Sequence, residues 1–152
     1  KNPEYRYLIG PVTISGKYTE VSKELIMRFI QENHYSHELA KYVIPRSKYQ
    51  VHSEEPGVQV MLDAAQKDIS VLDKMIGDIE PSSDKLPVLL KKYISLNAKI
   101  LGFNIDPNFN MCLDGLLILD IFDVPMKTIE SLSKEINDDT ILSRFSSDSV
   151  EL

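Results

Sequence analysis

The sequence predicts an α+β domain, in which helices pack against a sheet. Apolar side chains recur at helical spacing over residues 21–30, Leu25 and Phe29 among them, which is the pattern of a helix with one buried face. Residues 99–103 and 116–119 are instead short, nearly continuous apolar runs, and their length is typical of strands covered on both faces. Composition and periodicity alone therefore predict an α/β (α+β) domain and no function.

Length, charge and cysteine content narrow the classes of protein. The 152 residues suffice for one domain with its own core. Seventeen basic and 23 acidic side chains give a formal charge of −6, which disfavours binding to nucleic acid through phosphate neutralisation. The single cysteine, Cys112, fits a reducing compartment. No apolar run reaches the roughly 18 residues of a membrane-spanning helix, so we expect a soluble, cytoplasmic chain with no nucleic-acid partner.

An extended run opens the chain, because residues 5–15 are rich in aromatic and β-branched side chains. Pro11 has no amide hydrogen for a ladder, so this strand is expected to lie at a sheet edge or to bulge there. Thr19 is predicted to cap a helix over residues 20–33, and an anion bound at that helix N-terminus is the alternative to a plain cap. Since no initiator methionine precedes the run, we expect the chain to be the middle of a protein.

Two features of the next segment are candidate sites. His34 and His37 could share a helical face, but neither a cysteine nor an HExxH pattern accompanies them, so we predict no metal site. Arg46 and Lys48 belong to a basic and aromatic patch in an acidic chain. That patch is either a solvated loop or a dock for an acidic surface or a phosphate group.

Further helices are predicted along the rest of the chain. Amphipathic patterns place them over residues 69–79, 87–96 and 126–136. Asp68 is expected to cap the first of these. The apolar face of the second is expected to comprise Val88, Leu89, Leu90, Tyr93, Ile94 and Leu96. Residues 58–65 are ambiguous between a strand and a helix, and residues 137–152, rich in Asp and Ser, are expected to form a mobile tail.

The polar segment between the two apolar runs, residues 104–115, is the best candidate site. A loop that follows a buried strand places its side chains at the rim of a sheet, where α/β folds commonly bind ligands. Asp106, Asp114 and the nearby Asp120 could act as a base, orient an amine or cap turns. Both Asp106 and Asp114 also stand in strong turn signals. No nucleophile elbow or phosphate loop is visible, so covalent catalysis is not expected.

A family resemblance rests on three motifs, which read YLIGPVTIS, LPVLLKKYISLNAKILGFNIDPNFN and LDGLLILDI. Together they are similar to the C-terminal half of the hemolysin-like acyltransferases, relatives of the GNAT N-acyltransferases that make ornithine and glycine lipids. The resemblance covers residues 5–136 and is most specific over residues 87–120. It implies a GNAT-like mixed sheet flanked by about five helices, with residues 1–136 as the C-terminal part of an acyltransferase domain.

The resemblance also implies a reaction. Such proteins transfer a fatty acyl group from acyl carrier protein, or from coenzyme A, to an amine or hydroxyl of a lipid or amino-acid acceptor, and no tightly bound cofactor is expected. Residues 7–15 would form the strand beside which the pantetheine arm of the donor lies. The implied donor-binding residues are Val12, Thr13, Ile14, Arg46 and Lys48. Asp106 and Asp114 would be catalytic, through orientation or proton transfer.

Two departures from the family pattern leave an alternative open. The usual GNAT phosphate-binding loop is absent, and residues 34–81 are an additional stretch. We therefore expect a missing N-terminal portion of the same protein as a partner, and no complete activity from this chain alone. The alternative is a non-catalytic module that docks a carrier protein or partner domain. The hemolysin label also suggests a membrane-damaging toxin, which the charge disfavours, whereas lipid synthesis is compatible with peripheral contact with the inner membrane.

Overall fold

The fold is a three-stranded sheet with helices, described for residues 4–50 and 56–146 by a computed structural model. The strands are β1 (Tyr7–Ile14), β2 (Lys99–Asp106) and β3 (Cys112–Asp120). They lie in the order β1-β3-β2, and both neighbouring pairs are antiparallel. The predicted α+β class is confirmed. The resemblance implied a mixed sheet, but the only parallel pairing seen among the described residues is an isolated bridge between Tyr35 and Ile100.

Seven α-helices occur in the described residues, where about five were expected. They are α1 (Glu20–Asn33), α2 (His37–Ala40), α3 (Pro56–Ala65), α4 (Ile69–Ile79), α5 (Val88–Ser95), α6 (Met126–Ile136) and α7 (Thr140–Ser146). The ambiguous residues 58–65 belong to α3, because Val58, Leu62 and Ala65 recur at helical spacing and are buried. α7 lies in the segment predicted to be a tail. None of these helices is long and apolar enough to cross a membrane.

Side-chain caps mark where α1 and α4 begin, as predicted. The Thr19 hydroxyl oxygen accepts a hydrogen bond from the Ser22 amide at 3.3 Å, and Asp68 accepts one from the Ser70 amide at 2.8 Å. At the N-terminus of α1, Glu80 Oε1 accepts hydrogen bonds from the Thr19 amide at 3.0 Å and from its hydroxyl at 2.8 Å. A carboxylate of the chain itself therefore lies where an external anion had been considered.

The core lies on one face of the sheet, against α1. Along β3, Leu113, Leu117 and Leu119 are buried, whereas the residues between them are half-buried or, as with Gly115, buried on the core side. This alternation gives β3 one core face and one outer face, so the prediction that it is covered on both faces is wrong. In β2 four consecutive residues, 100–103, are buried, and the pairing register shifts there.

The apolar face predicted for α5 was too broad. Leu90 and Ile94 are buried, but Val88 is 76% exposed and Leu89 is 64% exposed. Positions 90 and 94 are one helical turn apart and share a face, whereas positions 88 and 89 project away from it. The core therefore contacts a narrow stripe of this helix.

Most of the predicted polar loop over residues 104–115 is strand. β2 continues to Asp106 and β3 begins at Cys112. A 3-10 helix, Pro107–Phe109, and two residues in the left-handed region, Asn110 at φ 52° and Met111 at φ 55°, make the connection. The predicted bounds were wrong because polar side chains alternate with buried apolar ones here, which is a strand pattern.

Candidate functional site

Polar side chains form a row across the outer face of the sheet. The pairing register places Thr13 of β1 and Asn104 of β2 on either side of Asp114 in β3. Thr13 donates a hydrogen bond from Oγ1 to Asp114 Oδ1 at 2.6 Å. Asp114 is half-buried and Thr13 is exposed. The row therefore presents a carboxylate to solvent at the surface of the sheet, with one oxygen, Oδ2, that bonds to none of the described residues.

Asp106, the other predicted catalytic residue, caps the hairpin turn. Its Oδ1 accepts a hydrogen bond from the Asn108 amide at 2.9 Å. It lies opposite Cys112 in β3, two residues along from Asp114, so the two carboxylates are diagonal neighbours on one face rather than a directly opposed pair. Of these two carboxylates, only Asp114 lies opposite a residue of β1, which is Thr13.

Asp120 is engaged in an ion pair at the start of β1. Arg6 Nη2 lies 2.8 Å from Asp120 Oδ2, and Asp120 Oδ1 accepts a hydrogen bond from the Phe122 amide at 3.0 Å. Burial by itself would raise the pKa of Asp120, but the hydrogen bonds from Arg6 and Phe122 and the charge of Arg6 outweigh it and lower the pKa. Its geometry is that of a structural anchor.

One edge of the sheet, formed by β1, has no pairing partner within the described residues. The Ile121 amide donates to the Arg6 carbonyl at 3.0 Å, in the register that continues the pairing of β1 with β3. Hydrogen-bonded and non-hydrogen-bonded pairs alternate along antiparallel strands. Even-numbered residues over 6–14 therefore direct their backbone groups to β3, and odd-numbered residues over 7–13 direct theirs outward. No other segment of residues 4–50 or 56–146 pairs with those outward groups.

This alternation separates the three predicted donor contacts. Val12 and Ile14 are buried, and their backbone amides face β3. Thr13 is exposed, and its amide and carbonyl face the free edge. Backbone contact with a ligand at this edge is thus open to Thr13, next to Asp114, and not to its two neighbours.

Pro11 divides the free edge into two parts. It lies at an outward-facing position, where its lack of an amide hydrogen removes a donor from the edge. Before it, Tyr7, Leu8 and Ile9 are 55%, 56% and 64% exposed, so this part is apolar on both faces. After it stands Thr13. The sequence left two positions open for Pro11, a sheet edge or a bulge, and the strand order shows the edge.

The basic residues Arg46 and Lys48 lie in a segment that is attached to β2. Between them, the Ser47 amide donates to Asn104 Oδ1 at 2.8 Å, and the Ile105 amide donates to the Ser47 carbonyl at 2.8 Å. Both basic side chains are exposed and neither forms an ion pair within the described part of the chain. The two positive charges are thus held beside Asn104, the neighbour of Asp114.

A shallow depression of about 100 Å³ connects the row to this segment. Its lining includes Pro11, Val43, Pro45, Gly102, Asn104 and Asp114. Two regions that are far apart in the sequence, the β2–β3 hairpin and the residues just before Arg46, therefore meet on the outer face. Sequence reasoning missed the roles of Asn104 and Ser47, because no local pattern reports a contact across 57 residues.

The described residues contain no group of three or more metal-ligating side chains, while the third histidine, His52, lies outside them. Burial, with a smaller contribution from Lys99, lowers the pKa of His34. Its Nε2 is buried without a hydrogen-bond partner in the described structure.

No family model, curated protein or solved structure matches this chain.

Proposed function

We propose that this chain is part of an acyltransferase of bacterial lipid synthesis. It would move a fatty acyl group from acyl carrier protein, or from coenzyme A, to an amine or hydroxyl acceptor. The observation that supports the proposal is the free edge of β1, where the outward backbone groups of Thr13 lie beside the Asp114 carboxylate. A cytoplasmic location with peripheral contact with the inner membrane would suit such a reaction.

The free edge suits a pantetheine arm because that arm carries two amides in an extended chain. Thr13 can donate and accept one backbone hydrogen bond each with such an arm, as a paired strand would. A strand added along all of β1 would leave a carbonyl without a donor at Pro11. The part of the edge before Pro11, apolar on both faces, suits the N-terminal portion of the same protein, and the part after it stays available to the donor.

Asp114 is the residue we assign to proton transfer. The nitrogen or oxygen of the acceptor attacks the thioester carbonyl, and its proton moves to Asp114 Oδ2, which bonds to none of the described residues. The carbon–sulfur bond then breaks, and the proton passes to the departing thiolate. Thr13 holds the carboxylate in place through Oδ1 at 2.6 Å.

An acyl-transfer assay with a matched pair of variants tests this assignment. The natural gene product is incubated with a long-chain acyl carrier protein and glycine, ornithine or a lysophospholipid, and the products are identified by mass spectrometry. Asp114→Asn is expected to lower transfer about 10²- to 10⁴-fold. Asp106→Asn, which removes a charge but keeps an oxygen that can accept the Asn108 amide hydrogen, should retain most of the transfer. The proposal is contradicted if none of these acceptors is acylated, or if both variants lose the same fraction of the transfer activity.

A second candidate function, a docking module for an acidic carrier protein, is favoured by the anchored basic segment at Arg46 and Lys48. In that case the double charge reversal Arg46→Glu/Lys48→Glu should weaken carrier-protein binding at least about tenfold, and the remaining affinity should depend less on salt. The exposed Lys67 offers the control Lys67→Glu. Binding that survives the double reversal would remove the support for this module.

A further inference from the structure

A large groove lies between the sheet and the two last helices, on the face opposite to the Thr13–Asp114 row. It has a volume of about 820 Å³. The sheet contributes Leu8 and Leu119, and the helices contribute Ile129, Leu132, Ile141 and Phe145. This volume falls in the range of small-molecule sites, roughly 300 to 1,000 Å³, whose linings are mostly apolar.

The α7 wall of this groove is attached by aromatic and polar contacts to the residues just before β1 and just after β3. The Phe145 and Phe122 rings have centroids 5.4 Å apart. Arg144 Nη2 donates to the Tyr5 carbonyl at 2.9 Å. The groove is thus bounded by helix contacts on one side and by the strands on the other, instead of being a flat apolar surface.

The groove carries one cation without a carboxylate partner. Arg144 lines it and contacts the Tyr5 carbonyl and the Phe122 ring, at 5.5 Å from the ring centroid, but pairs with no acid among residues 4–50 and 56–146. The acid that also lines the groove, Asp138, accepts hydrogen bonds from Thr140. The mostly apolar lining therefore holds one guanidinium and one carboxylate that form no ion pair with each other, and the guanidinium can bind the anionic end of an apolar chain.

We propose that this groove binds the hydrocarbon chain of a long-chain fatty acid, with its carboxylate at Arg144. A covering protein strand or helix would bring many backbone groups, whereas a hydrocarbon chain needs only the aliphatic lining and one polar partner for its head. This binding does not rest on the proposed function, because the groove lies on the face of the sheet opposite to Asp114 and an acyl thioester has no carboxylate for Arg144.

Displacement of a fluorescent fatty acid from the purified chain by octanoate, dodecanoate and palmitate measures the binding. Each methylene that enters the groove should raise affinity about fourfold, until the groove is filled. Palmitate should therefore bind much more tightly than octanoate. Absence of displacement by palmitate, or equal affinity for all three acids, overturns the proposal.

Two variants of α6 locate the site. Leu132 lines the groove and Ile136 does not, while both are surface-exposed, at 45% and 57%, so both indole substitutions should fold. Leu132→Trp should weaken palmitate binding at least about tenfold, and Ile136→Trp should leave it unchanged. Equal effects of the two substitutions would place any binding elsewhere and overturn the proposal.

The head-group contact is tested at Arg144. Arg144→Gln should weaken palmitate binding about tenfold and leave hexadecanol binding unchanged, because the alcohol has no charge.

Sedimentation of the unmodified chain tests a second copy as the occupant. Self-association that Leu132→Trp abolishes, without palmitate binding, overturns the proposal. Palmitate binding without acyl transfer supports the groove and counts against the transferase alone, whereas transfer without palmitate binding overturns the groove alone.

Discussion

The two edges of the sheet differ in how their backbone groups are satisfied. At the β2 edge, the Ile100 amide donates to the His34 carbonyl at 2.8 Å, and the Ser36 amide donates to the Ile100 carbonyl at 3.0 Å. Ser47 covers Ile105 farther along. At the β1 edge, none of the described residues takes the corresponding place. Because exposed edges invite pairing, the comparison identifies β1 as the side of the sheet where a partner or ligand can bind.

Strand β1, whose outer edge is unpaired in the described structure, is nevertheless fixed at both ends by other contacts. Arg6 and Asp120 join its start to β3. Beyond its other end, Glu80 binds Thr19 at the start of α1, and the turn at Gly16 packs directly on the hairpin. The edge is therefore available without the strand depending on a partner for its position, and the following changes test that contrast.

The largest effect is expected at Gly16, where the end of β1 meets the hairpin. A Cβ at this position would lie 1.6 Å from the Asn110 carbonyl oxygen, which backbone cannot accommodate without moving. Gly16→Ala should lower the free energy of unfolding by about 3 kcal/mol or more. Gly10→Ala, in β1 with no atom within 4 Å of the added Cβ, should change it by less than about 1 kcal/mol. Urea denaturation measures both, and similar losses would contradict the close packing.

A smaller effect is expected at Glu80. Burial by itself would raise the pKa of Glu80, but hydrogen bonds from Ser22 and Thr19 outweigh it, so the pKa lies below the ordinary 4.5. Because folding lowers this pKa, the ionised carboxylate stabilises the fold at pH values above the pKa of Glu80 in the unfolded chain. That stabilisation is lost as the pH falls through the pKa of Glu80 in the folded chain.

Glu80→Gln should therefore lower the free energy of unfolding by about 1 to 3 kcal/mol near pH 7, and by less near pH 3, because protonation of Glu80 in the original protein increases as the pH falls below 4.5. Asp78→Asn, at an exposed position in α4, is the matched control and should change stability by less than about 0.5 kcal/mol. Urea denaturation at the two pH values measures this, and a penalty that persists unchanged in acid would speak against the carboxylate as the anchor.

The smallest effect is expected at the β2 edge of the sheet, whose backbone groups are covered by other segments of the chain. Asn104→Ala removes the acceptor of the Ser47 amide and should cost about 1 kcal/mol. Exchange of the Ile105 amide hydrogen should speed up, because Ser47 also covers that amide. Asn108→Ala, whose side chain bonds to none of the described residues, is the control. Unchanged exchange at Ile105 in the Asn104 variant would show that Ser47 does not depend on Asn104.

Local sequence signals predicted much of this fold. Helix caps at Thr19 and Asp68 were predicted because capping involves residues two or three positions apart. The missing amide hydrogen of Pro11 predicted either a sheet edge or a bulge, and the edge is what the strand order has. In contrast, the extent of β2 and β3 was underestimated, because the Asn and Asp residues of the hairpin were taken as a loop signal although they alternate with buried residues.

The arrangement of the candidate site could be predicted only in part. Asp114 was singled out, but its contact with Thr13 joins residues 101 positions apart, and Asn104 bonds a loop 57 residues away. Such contacts depend on strand order and register, which one sequence does not specify. For the same reason nothing in the sequence indicated that Glu80 would cap α1, 61 residues from Thr19.

Residue-resolved hydrogen exchange of β1, alone and with a long-chain acyl carrier protein, tests the central claim most directly. In the free chain, the amides of Leu8, Gly10, Val12 and Ile14 should be protected, and those of Tyr7, Ile9 and Thr13 should exchange rapidly. Addition of the donor should slow Thr13. Uniform protection along β1 in the free chain, or an unchanged rate at Thr13 with the donor bound, would contradict the account.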